Sequence, residues 1–418
     1  MESFNLKIKP SNIVGEITAP SSKSFAHRIL ISAFLSGSEI SVKNVGKSVD
    51  ASVTLNALKT LGATVTECED KVIIKKGELP TKKVIIDCKE SGSSLRFLLP
   101  VVSALGVNAE FTGAKRLLER PIKELVDTLN EHGADIVGLT VNGKLQRGEY
   151  IVDGGISSQY ITGLLLALSS IEGESEVIIK GKLVSQPYVD ITLAVLSEFG
   201  VWYEKTERGY KIKGGYKPKK LELTVEGDWS GASFMLALGA IGKQVTVNGL
   251  NANSVQGDRK ILGILKNFGA IIDVSENAVT VKGGNLKGVT VDMENVPDLV
   301  QIVSVVASYA SGKTTLLGVD RLRLKESDRI KAVIDSLSAV GINAEYNNNS
   351  IIIYGGNPNG SVVDGGNDHR TVMSAVVMAS FAKGESLVLG GQAINKSYPD
   401  FIKDYQKLGG VIDVDIKG

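Results

Sequence analysis

Cysteine is almost missing from this 418-residue chain: Cys68 and Cys88 are the only two. Two thiols cannot build a disulfide framework, and neither has a histidine at metal-ligand spacing, so no metal site is expected. An excess of charge of either sign is also missing. Lysines and arginines number 47 against 46 aspartates and glutamates, a formal net charge of +1. That balance excludes a chain-wide basic field for nucleic acid, so any anion site must be local. No run approaches the roughly 18 apolar residues of a membrane span. Residues 1–20 carry no basic stretch followed by an apolar one, so no secretory leader is expected either. These absences predict a cytoplasmic protein with two unpaired structural thiols and no membrane or nucleic-acid partner.

What the chain has instead is repetition. Its length predicts two domains rather than one core. A helix-like stretch closing in glycine, followed by an alternating strand, a turn and a second strand, recurs at Gly62, Gly133, Gly200, Gly269, Gly341 and Gly409. The intervals run from 67 to 72 residues, so six similar units account for the sequence. Each glycine fits a helix C-terminus that needs a left-handed backbone.

A second phrase precedes each of those glycines: small or acidic residues leading into a very apolar helix. The copies are Ser21-Ser22-Lys23-Ser24, Ser91-Gly92-Ser93-Ser94, Ser157-Ser158-Gln159, Gly227-Asp228-Trp229-Ser230, Val296-Pro297-Asp298 and Asn367-Asp368-His369-Arg370. Each is expected to be an N-cap. The helices behind them, such as 160–168, 299–309 and 372–381, are apolar nearly all round and should be buried, with sheets outside them. Helix N-termini gathered at one end would present free N–H groups and partial positive charge to a polyanion between two three-unit domains. Lys23, Arg28, Arg96, Gln159, Asp298 and Arg370 cluster at these starts, and caps alone do not need arginines.

The densest charge lies in Asp320–Lys331, which reads DRLRLKESDRIK. An extended segment turning helical near Ser327 would place Arg321, Arg323 and Lys325 on one side, with Leu322 and Leu324 against a core. Glu326 and Arg329 would then stand at a helix start, a combination suited to an anion that exchanges a proton. Lys23, Ser24 and Arg28 are spaced to hold one phosphate as ammonium, hydroxyl and guanidinium fork. Arg120, ahead of a helix at 122–129, and Lys396, at the turn into the last helix, extend the cationic set. Ser311-Gly312-Lys313-Thr314 imitates the end of a phosphate-binding loop, but Ala307 replaces its first glycine and the order is helix then strand. His27 and His132 read as structural, and His369 as an orienting group.

Taken together these phrases resemble the EPSP synthase family of enolpyruvyl transferases. The resemblance runs end to end through PSSKSFAHR (Pro20 to Arg28), ERPI (Glu119 to Ile122), SSQY (Ser157 to Tyr160) and SQPYVD (Ser185 to Asp190). It continues through EGD (Glu226 to Asp228), the PD ending at Asp298, LKESDR (Leu324 to Arg329), NDHR (Asn367 to Arg370) and KSYPD (Lys396 to Asp400). It implies an α/β fold, a two-domain inside-out α/β barrel of six βαβαββ repeats, three per domain, with buried parallel helices. Residues 1–22 and 227–418 would form one discontinuous domain and 23–226 the other, with the active site in the cleft between them and closure on substrate binding. The implied reaction moves the enolpyruvyl group of phosphoenolpyruvate to the 5-hydroxyl of shikimate 3-phosphate, releasing phosphate, with no cofactor or metal and a monomeric enzyme. By resemblance, shikimate 3-phosphate would meet Lys23, Ser24, Arg28, Ser157, Ser158, Gln159, Ser185, Asp298 and Lys325. Phosphoenolpyruvate would meet Lys23, Gly92, Arg120, Gln159, Arg329, Arg370 and Lys396. Asp298, Glu326 and Lys23 are the implied catalytic groups, Asp298 as base and Glu326 as proton donor. The chain departs from the family pattern at Lys89-Glu90-Ser91-Gly92-Ser93-Ser94, which has serine where threonine is usual and lacks an asparagine.

Three other readings compete. A UDP-N-acetylglucosamine enolpyruvyl transferase would share the fold and the donor, but its loop cysteine has no counterpart in Thr112-Gly113-Ala114-Lys115-Arg116. An RNA-binding relative conflicts with the near-zero net charge and the lack of a basic stripe with interleaved aromatics. A non-catalytic repeat scaffold would not need Asp298, Glu326 and several cations at helix starts.

Overall fold

The computed structural model describes residues 3–416. Among these, the strands form six open four-stranded sheets that share one order. Val84–Asp87, Ala109–Thr112, Thr140–Gly143 and Ala134–Val137 illustrate it. The first two strands run parallel, with Val84 opposite Ala109, and the last two form a hairpin, with Ala134 opposite Gly143. A parallel pair needs a long crossover, and a helix supplies it. In this sheet the crossover is Gly92–Leu105, and Ser158–Leu168, Val300–Tyr309 and His369–Ala379 make the same crossover in three others, whereas the parallel pairs of Val14–Thr18 with Gln244–Asn248 and of Ile40–Lys43 with Glu222–Thr224 join distant stretches of the chain.

The chain divides into two compact units: the described residues up to Pro20 together with those from Glu226, and Ser21–Val225. The crossings therefore fall after Pro20 and before Glu226, where the sequence places them after Ser22 and Glu226. Strand pairing is the reason. Phe4–Lys9 runs antiparallel to Ser386–Leu389 and Val411–Ile416, and Val14–Thr18 runs parallel to Gln244–Asn248. The first unit is thus completed by the N-terminal segment. The second closes on itself, with Glu222–Thr224 parallel to Ile40–Lys43. Each unit has its own hydrophobic core and three of the six sheets.

Both cores are built on helices with no polar side. Every residue of Trp229–Ile241 from Trp229 to Ala240 is buried, and Val300–Tyr309 and His369–Ala379 are similarly enclosed. Lys23–Leu35, Gly92–Leu105 and Ser158–Leu168 play the same part in the other unit. A helix apolar all round is stable only inside a core. Its charged residues are then confined to its first two turns, which is where the candidate functional residues lie.

The six repeat glycines behave as their spacing predicts, all with φ between 68° and 109°. Gly62 shows the constraint twice over, since a Cβ there would also stand 2.0 Å from the Glu78 carbonyl oxygen. Five of the six expected caps form: Ser22, Ser91, Ser157, Asp228 and Asp368 each accept a backbone N–H of their helix. Asp298 does not cap. It lies in a 3-10 turn, Pro297–Leu299, that runs straight into Val300–Tyr309, and its carboxylate is claimed by arginines. Asp320–Leu324 is likewise not extended but a 3-10 turn, with Leu322 buried and Leu324 exposed. Anchoring explains this. The Asn349 Oδ1 accepts the Asp320 N–H at 2.8 Å and the Tyr346 hydroxyl donates to the Asp320 carboxylate, so the chain coils as it leaves Lys313–Leu317. Arg323 consequently turns away from Lys325, pairs with Asp328 at 3.2 Å and lies over the Tyr346 ring.

One helix crossing depends on a missing side chain. Pro100 lacks the N–H that would bond to the Arg96 carbonyl, and Gly163 of Ser158–Leu168 packs against that carbonyl so closely that a Cβ would be 2.3 Å from the oxygen. Gly163→Ala should therefore cost about 1–3 kcal/mol by overpacking. Gly263→Ala, on an exposed helical site with nothing within 4 Å, should be neutral or stabilising by up to about 1 kcal/mol. Denaturant midpoints for the two variants check this; equal midpoints would mean that the crossing is not tight.

Candidate active site

In the unit that contains the C-terminal half of the chain, side chains from three helix starts meet on Arg329, which is 1% exposed. It opens the helix Arg329–Ala339, capped by Asp328. Its Nη1 donates to Asp298 Oδ1 at 2.8 Å and its Nε to Asp368 Oδ2 at 2.8 Å, while Nη2 stands 2.9 Å from Glu326 Oε2. Arg370 donates to Asp298 twice, from Nη2 to Oδ2 and from Nη1 to the backbone oxygen, both at 3.1 Å. Lys325 Nζ is 3.5 Å from Asp298 Oδ1. Three carboxylates thus face three cations, which is what allows Arg329, Asp368 and Arg370 to be buried.

Asp368 is fully enclosed and does two jobs. It caps His369–Ala379 through the Arg370 N–H at 2.9 Å, and it accepts from Arg329 and from the Ser327 hydroxyl. Burial alone would push its carboxyl up, but Arg329 reverses this and holds it at about 2. Burial acts against the charge on Arg329, yet Asp368, Glu326 and Asp298 outweigh it and raise its pKa. Lys396 donates to the Asn367 carbonyl beside this group, and His369 is buried next to Asp368.

The other unit gathers its polar residues in the same way. Lys23 opens its helix and pairs with Asp50 at 2.9 Å. Arg28, one turn on and 2% exposed, donates from Nε to Thr192 Oγ1 at 2.7 Å, from Nη1 to the Ser24 carbonyl at 2.7 Å, and from Nη2 to the Tyr188 carbonyl and Thr162 Oγ1. Burial lowers its pKa to about 9, so it stays charged at neutral pH. Its fork is turned inward, and a two-pronged grip on phosphate would require exchanging these partners. Arg96 and Arg120 converge on the N-terminus of Gly92–Leu105, where a Cβ on Gly92 would lie 2.6 Å from Arg120 Nη1 and 2.8 Å from Arg96 Nη1. Arg96 donates to Gln159 Oε1 at 3.3 Å, and Gln159 donates to Ser93 Oγ at 3.1 Å. Ser157 caps the helix through the Gln159 N–H, Ser158 is buried in its first turn, and Ser185 is held at φ 55° ahead of Gln186–Glu198. Two arginines at a helix start are chemistry suited to an anion.

The family model described as EPSP synthase (3-phosphoshikimate 1-carboxyvinyltransferase) matches residues 8–405. The chain belongs to this family. A 3-phosphoshikimate 1-carboxyvinyltransferase of Clostridium kluyveri is 38% identical over 98% of this chain and 98% of its own length, and one from Brachyspira hyodysenteriae is 37% identical over 97% and 99%. An EPSP synthase structure from Acinetobacter baumannii superposes with a TM-score of 0.83 at 25% identity, covering 99% of this chain and 100% of that one. The enolpyruvyl transferase NikO of Streptomyces tendae, at 16% identity and a TM-score of 0.79, shares the fold. The EPSP synthase reading stands over the UDP-sugar transferase and the non-catalytic alternatives.

Several partners of these candidate residues carry no signal in the sequence of this EPSP synthase family member. Asp50 is not singled out in the sequence and Asp368 is expected only to cap, yet Asp50 pairs with Lys23 and Asp368 with Arg329. Arg96 was noticed at a helix start, but its convergence with Arg120 needed the fold. The imitation phosphate loop is an exposed turn, Gly312 at φ 87°, leading into Lys313–Leu317. His27 is not idle packing: its Nδ1 sits 2.7 Å from Thr54 Oγ1, in a hydroxyl chain that continues to Ser94 and Ser91. Among the described residues no group of three or more histidine, cysteine or acidic side chains could hold a metal, and no helix is long and apolar enough to cross a membrane. Both thiols are unpaired, with burial pushing Cys88 up to about 12.

Removing one partner of a buried ion pair strands the other charge, so Asp368→Asn should lower stability by about 3–5 kcal/mol. The folded carboxyl lies below its unfolded value of about 3.9, so its contribution is present above that pH and is lost as pH falls toward 2. Unfolding curves at pH 7 and pH 3 should therefore separate the variant from the parent more widely at pH 7. An equal gap at both values would deny Asp368 this role.

Proposed function

We propose that these two groups of side chains carry the transfer of the enolpyruvyl unit of phosphoenolpyruvate to the 5-hydroxyl of shikimate 3-phosphate, and that each unit is an inside-out barrel. The observation that carries this is the Asp298, Glu326 and Asp368 cluster on Arg329, with Arg370 and Lys325 completing the charge balance. The two substrates bring about six negative charges when fully ionised, two from each phosphate and one from each carboxylate. Binding them requires local cations in a chain with almost no net charge. Lys23, Ser24, Arg28, Ser157, Ser158, Gln159, Ser185, Asp298 and Lys325 hold the shikimate 3-phosphate. Lys23, Gly92, Arg120, Gln159, Arg329, Arg370 and Lys396 hold the phosphoenolpyruvate.

The chemistry is addition followed by elimination. Glu326 delivers a proton to C3 of phosphoenolpyruvate while Asp298 takes the proton of the attacking hydroxyl, whose oxygen bonds to C2. The tetrahedral adduct then loses a C3 proton and expels phosphate, restoring the double bond. Lys23 stabilises charge on the reacting groups. An acid, a base and fixed cations are sufficient for this sequence, and one chain supplies them all, so a cytoplasmic monomer suffices.

Phosphate release from phosphoenolpyruvate, with shikimate 3-phosphate or UDP-N-acetylglucosamine offered separately, tests the acceptor. Release is expected only with shikimate 3-phosphate; release only with the nucleotide sugar would overturn the acceptor assignment. Asp298→Asn, which keeps an acceptor for Arg329, should lower kcat by about 10²–10⁴ while KM stays within a few-fold, as loss of a general base does. Unchanged kcat would remove Asp298 from proton transfer. Gly92→Ala must displace the Arg96 and Arg120 guanidinia, so it should raise the KM for phosphoenolpyruvate at least tenfold in a folded protein. An unaltered KM would place the donor elsewhere.

A further inference from the structure

Behind the acid and cation cluster lies a fourth carboxyl that the proposed chemistry does not use. Asp258 is in a short 3-10 turn, Gly257–Lys260, and is 5% exposed. The loop ahead of it is pinned to the start of Trp229–Ile241: Gln256 donates from Nε2 to the Gly227 carbonyl at 2.8 Å, and its Oε1 accepts the Trp229 N–H at 3.1 Å. Those bonds hold the loop that leads into Asp258 against the helix start. Its Oδ1 is buried and has no hydrogen-bond partner. The polar groups facing it are Ser230, in the first turn of that helix, Asp228, which caps it, and Asp298 and Arg370 of the cluster.

Ionising a carboxyl this deeply buried is costly, and Asp228 and Asp298 add two like charges against the opposing effects of Arg370 and the Ser230 hydroxyl. We propose that Asp258 is a positioning residue that works as a neutral acid: protonated, it leaves Arg370 directed at Asp298 and available to an anionic substrate, and ionised, it competes for Arg370, so anion binding is coupled to uptake of one proton. This rests on the reading above that Arg370 holds phosphoenolpyruvate. Burial, followed by repulsion from Asp298, raises the Asp258 carboxyl to about 7, which puts the competition within the working range of pH.

The sign follows from linkage. Below about pH 7 Asp258 is already protonated in the free protein and binding is insensitive to it. Above that pH each unit should weaken binding roughly tenfold, because a proton must be taken up, until the higher value of the loaded site is reached. Asp258→Asn is neutral at every pH and lacks the cost of a buried carboxylate, so it should be at least as stable as the parent at pH 8. The experiment compares KM for phosphoenolpyruvate, at saturating shikimate 3-phosphate, for parent and Asp258→Asn from pH 6 to pH 8.5. Titration of the substrate phosphate is common to both proteins and cancels in the ratio. The ratio of parent to variant KM should rise about tenfold between pH 6 and pH 8, with kcat values remaining within a few-fold. Parallel KM profiles overturn the proposal, as does a variant whose kcat, and not KM, carries the difference. A substrate-free measurement stands beside it: infrared difference spectra of the parent protein between pH 6 and pH 8 should show one buried carboxylic acid losing its proton, absent in Asp258→Asn. No such band overturns the proposal. The spectra use no substrate, so failure of the transferase reading, seen as no phosphate release by the parent, is distinguishable from failure of this one.

Discussion

A guanidinium sealed from water is tolerable only when carboxylates surround it, and the C-terminal half of the chain is arranged around that requirement at Arg329. Asp298, Glu326 and Asp368 come from three different segments to meet it. Because Asp368 also caps His369–Ala379, the pairing fixes the position of a buried helix as well as that of a charge. Arg370 is the second residue of that helix, so its reach to Asp298 is set by the same contact. An ion cluster of this kind adds little net stability, since desolvation offsets most of the attraction. What it supplies is a single arrangement of acids and cations that a loosely held surface set could not keep.

The helices dictate where such a cluster can be. They are apolar on every side, so a charged residue along their middle would be buried without water, and the ends become the natural place for chemistry. The same logic holds in both units: Lys23 with Asp50, and Arg96 with Arg120, lie at helix starts. Close packing then acts on the site at one remove. Gly163 lets Ser158–Leu168 approach the Arg96 carbonyl, and the Arg96 side chain reaches Gln159 and the Pro121 carbonyl from there. Core geometry and active-site geometry are in this way the same problem.

Local signals were legible in the sequence where a local cause decides the structure. A glycine at a helix C-terminus, or a serine or aspartate ahead of an apolar run, acts within a few residues, and all six glycines and five of the six caps form as expected. The alternation in Asp320–Leu324 was misleading because long-range anchors at Asn349 and Tyr346 override a two-residue period. Asp298 looked like a cap because small acidic residues usually are. Its carboxylate is drawn away by arginines 31 and 72 positions later, which no window along the chain reveals.

The sequence by itself determined the six-fold repeat, the buried helices, the local character of the cation sites and the family, since each rests on composition, spacing or motif. Only the tertiary structure decided which acid faces which cation. It turned the Arg28 fork inward onto Thr192, 164 residues away, brought Arg96 and Arg120 against Gly92, and enclosed Asp258 behind Asp298 and Arg370. The physical reason is that the charge state and reach of an ionisable group depend on its burial and on neighbours in space. Those neighbours come from distant segments and are set when the helices pack, not by the order of residues around the group.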